Sequence, residues 1–160
     1  MAETVYIETT IFSFYHDIRK SPAIMTMRQW TREWWDGHRF KYDLVTSAAV
    51  FAELEAGSLA HRDKAQAMAM DLPILPLSTE ADEIVDVYIK RKVMPADPLG
   101  DALHLALASI HKVDYLVTWN CQHLANASKF GHIRRVNTLL GLHVPAIVTP
   151  LELMGAMETP

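Results

Sequence analysis

Asp101 is the residue that most needs a chemical explanation. It opens the stretch "DALHLALASI", a helical pattern apolar on most of its circumference, which implies burial. A carboxylate taken out of water costs several kcal/mol unless a cation or hydrogen-bond donors meet it. The helix macrodipole relieves only about 0.3–1 kcal/mol of that cost. A partner is required, and a divalent metal ion would suffice. Three other segments offer oxygen ligands. Glu8 ends the short strand pattern of "VYIETT". Glu53, in "SAAVFAELEAG", follows Val50 by one helical step and borders the apolar face. Glu55 lies on another face, and periodicity alone does not say which glutamate points inward. Asn120, in "YLVTWNCQH", stands just past a strand end, where it could equally cap a helix. Taken singly, Glu8 and the two helix glutamates read as readily as solvated positions. Taken together, three carboxylates and an amide suit a hard cation such as Mg²⁺ or Mn²⁺. Such a site can activate water and neutralise charge in phosphodiester cleavage. The sequence does not say whether one metal binds or two.

Other chemistries are less well supported. His104 stands three residues after Asp101 on the same helix face. An Asp-x-x-His pair can hold a transition metal, but a packed or hydrogen-bonded histidine is the commoner arrangement. Cys121 and His123 lack a second pair at zinc-finger spacing. There is no Gly-x-Ser-x-Gly nucleophile elbow, P-loop or dinucleotide-binding glycine motif.

These residues can meet only if the elements between them converge. Residues 4–8, 42–47, 73–77, 115–118 and 146–150 read as extended segments. Helical patterns fall at 22–37, 48–57, 60–71, 79–92 and 98–111, with a short helix at 121–128; residues 130–141 give no clear pattern. Pro22 suits a first helical turn and Gly37 and Gly57 helix ends. Asp97-Pro98 reads as an N-cap and first position, while Thr46 and Ser47 are good caps for the helix after them. Strands alternating with helices argue for a mainly parallel sheet covered on both faces. In such sheets, sites form at the carboxyl ends of strands. The expected ends are Glu8–Thr9, Thr46–Ser47, Thr118–Asn120 and Thr149. Met27, Trp30 and Trp34, with Trp35 beside them, form a stripe best read as core or dimer packing.

Composition bounds the class. At 160 residues, half of them hydrophobic and 21% charged, the chain fits one compact domain over residues 1–160 with a real core. No apolar run approaches the length of a membrane span, and the start lacks the pattern of a secretory leader. A single cysteine, Cys121, suits a reducing cytoplasm. The formal net charge of −4 means that any RNA role must rest on local basic patches. The preferred phosphate contacts are Lys90, Arg91, Lys92, Arg134 and Arg135, though solvated helix faces explain them as simply.

The blocks "YIETTIFSFY", "TSAAVFAELEAG" and "DALHLALASIHKVDYLVTWNCQHLAN" together resemble a PIN domain of the type found in VapC toxins of toxin–antitoxin pairs. The resemblance spans essentially the whole chain. It implies a three-layer α/β/α sandwich and metal-dependent ribonuclease activity with Mg²⁺ or Mn²⁺. It also implies a homodimer and a small antitoxin protein that inserts a peptide into the active-site groove. Glu8, Glu53 and Asp101 match the family's acids, Asn120 its variable fourth position, and Thr9 and Thr118 its flanking hydroxyls. Two positions depart from the pattern: Glu8 replaces the usual Asp with a longer side chain, and Asn120 removes a charge. A catalytically weak module binding RNA or protein, and a metal-dependent phosphohydrolase for small substrates, are the alternative expectations.

Overall fold

A computed structural model describes residues 2–57, 61–96 and 99–155. Five parallel strands form one sheet: β1 (Thr4–Ile7), β2 (Asp43–Ser47), β3 (Ile74–Leu75), β4 (Tyr115–Val117) and β5 (Ala146–Val148). Their spatial order is β3-β2-β1-β4-β5. The helices are α1 (Thr9–Tyr15), α2 (Pro22–His38), α3 (Ala48–Ala56), α4 (Arg62–Met70), α5 (Thr79–Lys90), α6 (Leu99–Ile110), α7 (Ala127–Leu139) and α8 (Pro150–Leu153). A short 3₁₀ turn joins α2 to β2. This is the expected three-layer α/β/α sandwich.

The central strand shows why the sheet is covered on both faces. Val5, Tyr6 and Ile7 are all fully buried, although consecutive side chains of a strand point to opposite sides. The aromatic stripe of α2 is part of this core. Trp34 and Trp35 are buried, Met27 and Trp30 pack against the core, and Trp30 stacks on Trp119 at 6.1 Å.

The order of strands places the site. From β1 the chain builds outward through β2 and β3, then returns to add β4 and β5 on the other side. Strand order therefore reverses between β1 and β4, and the crevice at the carboxyl ends of these strands is where such sheets bind ligands. Val5 pairs with Tyr115 and Ile7 with Val117, which sets Glu8 beside Thr118.

Several local expectations change. β1 stops at Ile7, and Glu8 becomes the N-cap of α1, a helix the sequence pattern did not indicate. The segment expected as a helix at 121–128 makes turns instead, and the helix forms across the unassigned stretch as α7, capped by Asn126. Between the prolines of 73–77 only two residues pair. Ser47 is at the N-cap of α3 but gives no side-chain cap, because its hydroxyl is engaged elsewhere. The expected start at Asp97-Pro98 lies outside the described residues.

A buried polar knot ties the far side together. The Tyr88 hydroxyl donates to Asn137 Oδ1 at 2.6 Å, and Asn137 Nδ2 donates to Ser109 Oγ at 2.9 Å and to the His143 carbonyl at 3.0 Å. Burial pushes the Tyr88 phenol up to about 12. Removing the amide strands buried partners on α5, α6 and the loop after α7. Asn137→Ala is expected to lower stability by about 1–3 kcal/mol in urea unfolding. A loss under a few tenths of a kcal/mol would contradict this account.

Candidate metal and active site

Glu8 continues β1 by one rung, its N–H donating to the Val117 carbonyl at 3.2 Å, and then the chain turns into α1. Its side chain is buried, with 3% of its surface exposed. Oε1 accepts three bonds: from Thr10 N at 3.0 Å, Thr10 Oγ1 at 2.5 Å and Thr118 Oγ1 at 2.7 Å. The other oxygen, Oε2, faces His104 Nε2 at 4.0 Å. Burial pushes this carboxyl above its ordinary value, with His104, Thr10 and Thr118 holding it back.

Glu53 arrives from α3 and His104 from α6. They form a direct hydrogen bond between Glu53 Oε1 and His104 Nε2. Thr9 Oγ1 donates to the same glutamate oxygen at 2.8 Å. Burial acts to raise Glu53, but the hydrogen bond and charge of His104, with Thr9, outweigh it and hold the carboxyl below its ordinary value. His104 has no exposed surface. Burial acts to lower it, yet its bond to Glu53 and the charges of Glu8, Glu53 and Asp101 raise it. On the other side of the ring, Nδ1 pairs with Tyr6 Oη at 2.7 Å, and Tyr6 Oη with Ser47 Oγ at 2.6 Å. One ligand atom each from Glu8, Glu53 and His104 lie within 4.8 Å of one another.

Gly100 decides which glutamate turns inward. A methyl group there would stand 2.7 Å from Glu53 Oε2, so the carboxylate fills the space that a side chain would take. Glu55 instead accepts from Gln66 at the surface.

Asp101 and Asn120 form the second half of the site. Asn120 Nδ2 donates to Asp101 Oδ1 at 2.9 Å, and Asn120 Oδ1 accepts from the His123 N–H at 3.0 Å. Asn120 therefore makes a local turn rather than capping a helix. Asp101 is 4% exposed, and its Oδ2 accepts no hydrogen bond among the described residues. Burial raises its carboxyl, and the charge of Glu53 adds to that, against Asn120, His104 and His123. The two halves are joined through Thr118, whose hydroxyl binds Glu8 and also accepts the Asn120 N–H at 2.9 Å. Thr10 Oγ1 likewise accepts the Trp119 N–H at 2.8 Å.

Thr9 donates to Glu53 and Thr118 to Glu8. Thr10, Tyr6, Gly100 and the central place of His104 were not anticipated. Lys90, Arg91, Lys92, Arg134 and Arg135 are all exposed. His132 Nε2 bonds the Arg91 carbonyl at 2.7 Å, linking the two basic segments. Arg134 lines a groove of about 300 Å³ along β5 with Phe130, Val144 and Glu152. Lys129 is half-buried on α7, where burial lowers its ammonium below the ordinary value and the charge of Asp101 opposes that only in part.

The donor chemistry fits a divalent cation. Two carboxylates and an imidazole converge, a third carboxylate keeps a buried oxygen without a partner, and a glycine leaves room for the cluster.

The PIN domain family model matches residues 5–125. No curated protein matches the chain. Among solved structures, a toxin–antitoxin complex from Klebsiella pneumoniae is similar with a TM-score of 0.53 and 16% identity, over 78% of this chain and 93% of that one. VapBC2 from Rickettsia felis, bound to a DNA fragment from its promoter, is similar with a TM-score of 0.52 and 13% identity, over 91% of this chain and 98% of that one. At these identities the likeness is one of fold.

Two outcomes follow from this geometry. His104, Glu8 and Asp101 all bind protons more tightly folded than unfolded, so each favours the fold less as pH rises past its unfolded value. Glu53 opposes them only at the acid end, where its stabilisation is lost as pH falls through its lowered value. In chelator, the melting temperature is expected to fall as pH rises from about 6.5. Mn²⁺ should reduce that fall, and a flat or rising chelator profile would contradict the assignment. Gly100→Ala should keep or slightly raise stability, since alanine favours a helix by about 1 kcal/mol over glycine. The displaced Glu53 should weaken calorimetric Mn²⁺ binding by roughly tenfold; undiminished binding would separate Glu53 from the ion.

Proposed function

The chain belongs to the PIN domain family, and we propose that it is a metal-dependent ribonuclease, the toxin of a toxin–antitoxin pair. The observation that carries this is the gathering of Glu8, Glu53 and His104, one ligand atom of each within 4.8 Å of the others, with Asp101, one turn before His104 on α6, keeping a buried oxygen unpartnered among the described residues. These three acids hold Mg²⁺ or Mn²⁺. A divalent ion there supplies water activation and neutralises the charge that builds on a phosphate under attack.

The protein's own part is to present the ligands. Thr10 and Thr118 occupy Glu8 Oε1, which leaves Oε2 as the free donor. Thr9 and His104 orient Glu53, and Asn120 orients Asp101 through its amide. The Asn120 oxygen accepts from the His123 N–H and keeps a second lone pair, with which Asn120 ligates the ion directly or through a water. Exposed Lys90, Arg91, Lys92, Arg134 and Arg135 take RNA phosphates, each adding to the salt dependence of binding. The structural neighbours are assemblies with a partner, which supports a small antitoxin protein for this chain, and we assign it a homodimeric, cytoplasmic state. Among the described residues no helix is long and apolar enough to cross a membrane.

The test is cleavage of RNA by purified chain freed of any partner. Activity is expected with Mg²⁺ or Mn²⁺, to stop with chelator, and to fall at least about a hundredfold in Asp101→Asn. Persistent cleavage in that variant would place the activity elsewhere. RNA binding without cleavage by the wild type would indicate a binding module, and turnover of small phosphate esters alone a phosphohydrolase. Glu8→Ala should abolish tight Mn²⁺ binding; undiminished affinity would remove Glu8 from the ligand set.

A further inference from the structure

We infer that His104 Nε2 is a direct ligand of the ion, so that the site is a mixed nitrogen–oxygen centre selective for Mn²⁺ over Mg²⁺. The inference rests on the reading of the acid cluster as a metal site. It departs from an all-oxygen set in both ligand identity and ion preference.

Besides orienting Glu53, the imidazole is placed to bind an ion directly. Nε2 lies 4.0 Å from Glu8 Oε2 and in hydrogen-bond contact with Glu53 Oε1. Ligands of one small cation stand roughly 3–4 Å apart. An ion between the two glutamate oxygens is therefore within bonding reach of Nε2. The ring cannot swing away. It has no exposed surface, and Tyr6 packs edge-on against it at 5.6 Å between ring centres. Its Nδ1 is held by the Tyr6 hydroxyl at 2.7 Å, and that hydroxyl by Ser47 at 2.6 Å. With Nδ1–H donating to Tyr6 Oη and Tyr6 O–H to Ser47 Oγ, Nε2 holds the proton that bonds Glu53 in the metal-free chain and offers its lone pair toward Glu8 and Glu53 once that proton leaves. Ligating histidines typically have such a partner on the second nitrogen. A dication cannot share this pocket with a proton on Nε2, so the ion replaces that proton.

Two further oxygens are available, one within the group formed by Glu8, Glu53 and His104 and one, on Asp101, outside it. Glu8 Oε2 is free because Oε1 is saturated, and Asp101 Oδ2 accepts nothing among the described residues. The first two turns of α6 carry Asp101 and His104 on one helix face, so a single element sets their spacing. Imidazole suits transition ions, whereas Mg²⁺ prefers oxygen and keeps its waters. Tyr6 and Ser47 are then positioning residues, acting through His104.

Pulsed electron paramagnetic resonance of the full chain loaded with Mn²⁺ tests this without reference to activity. The wild type is expected to show one imidazole nitrogen coupling, which changes to the ¹⁵N pattern after ¹⁵N-histidine labelling and vanishes in His104→Gln. Mn²⁺ affinity should drop at least about tenfold in that variant, with Mg²⁺ affinity changing less. Bound Mn²⁺ with no nitrogen coupling, or with coupling that survives His104→Gln, would overturn the inference and leave the carboxylate site standing. No saturable Mn²⁺ binding by the wild type would overturn both. Should His104→Gln fail to fold, Tyr6→Phe carries the test, since it removes only the hydroxyl. Weakened Mn²⁺ binding with an altered nitrogen coupling supports His104 as ligand. Unchanged affinity and coupling would overturn it.

Discussion

Glu8, Asp101 and His104 are buried at the carboxyl ends of the central strands with half-buried Glu53 against them, and their desolvation sets the terms for everything around them. Glu8, Asp101 and His104 are each at most 4% exposed, and burial is the largest influence on all three. Ion burial on this scale costs several kcal/mol per group unless donors and opposite charges replace water. The replacements are local: Thr9, Thr10, Thr118, Asn120 and His104. The first four come from the end of β1 or β4 or the start of a helix, where backbone direction changes and polar side chains can turn inward, and His104 from the middle of α6. The switch point of the sheet is thus where most of these polar groups find partners, Asp101 Oδ2 excepted among the described residues. The hydrophobic layers on both faces of β1 supply the stability that lets the cluster persist.

The parts of the fold set by apolar periodicity were legible in the sequence. The buried run Val5–Ile7, the tryptophan stripe of α2 and the apolar α6 all form as their patterns imply. What failed was set by single polar side chains. Glu8 looked like the last residue of a strand, but its longer side chain folds back onto Thr10 and starts α1. The stretch 121–139 lacks a clear apolar rhythm, and Asn126 alone decides where α7 begins. His104 was overshadowed by its apolar neighbours, because a histidine in such a helix has an adequate packing explanation. Only the approach of α3 and β1 reveals what it touches. Gly100 carried a signal that went unused. A glycine in a helical turn costs about 1 kcal/mol against alanine, and a position that bears that cost invites a search for what fills the space.

The two departures from the family's usual acids are compensating when charge and reach are considered together. A shorter Asp at position 8 would have to choose between capping α1 and facing the cluster. Glutamate does both, one oxygen bound by Thr10 and Thr118 and the other turned toward His104. At position 120 an aspartate would add a fourth negative charge beside Asp101, whose carboxyl is already raised by burial and by Glu53. Asparagine instead donates to Asp101 and accepts from the His123 backbone, which fixes the acid without repelling it.

With Asn120 neutral, three carboxyl groups share the site with one imidazole. In the proposed metal site, a dication that replaces the proton on His104 lowers the negative charge of the cluster by one. A fourth carboxylate would leave the pocket more anionic in both states and raise the desolvation cost of each. The lengthened acid and the neutral amide therefore act in the same direction. They lower the charge that the fold must bury while keeping every ligand oxygen oriented, and His104 becomes the group on which that balance turns.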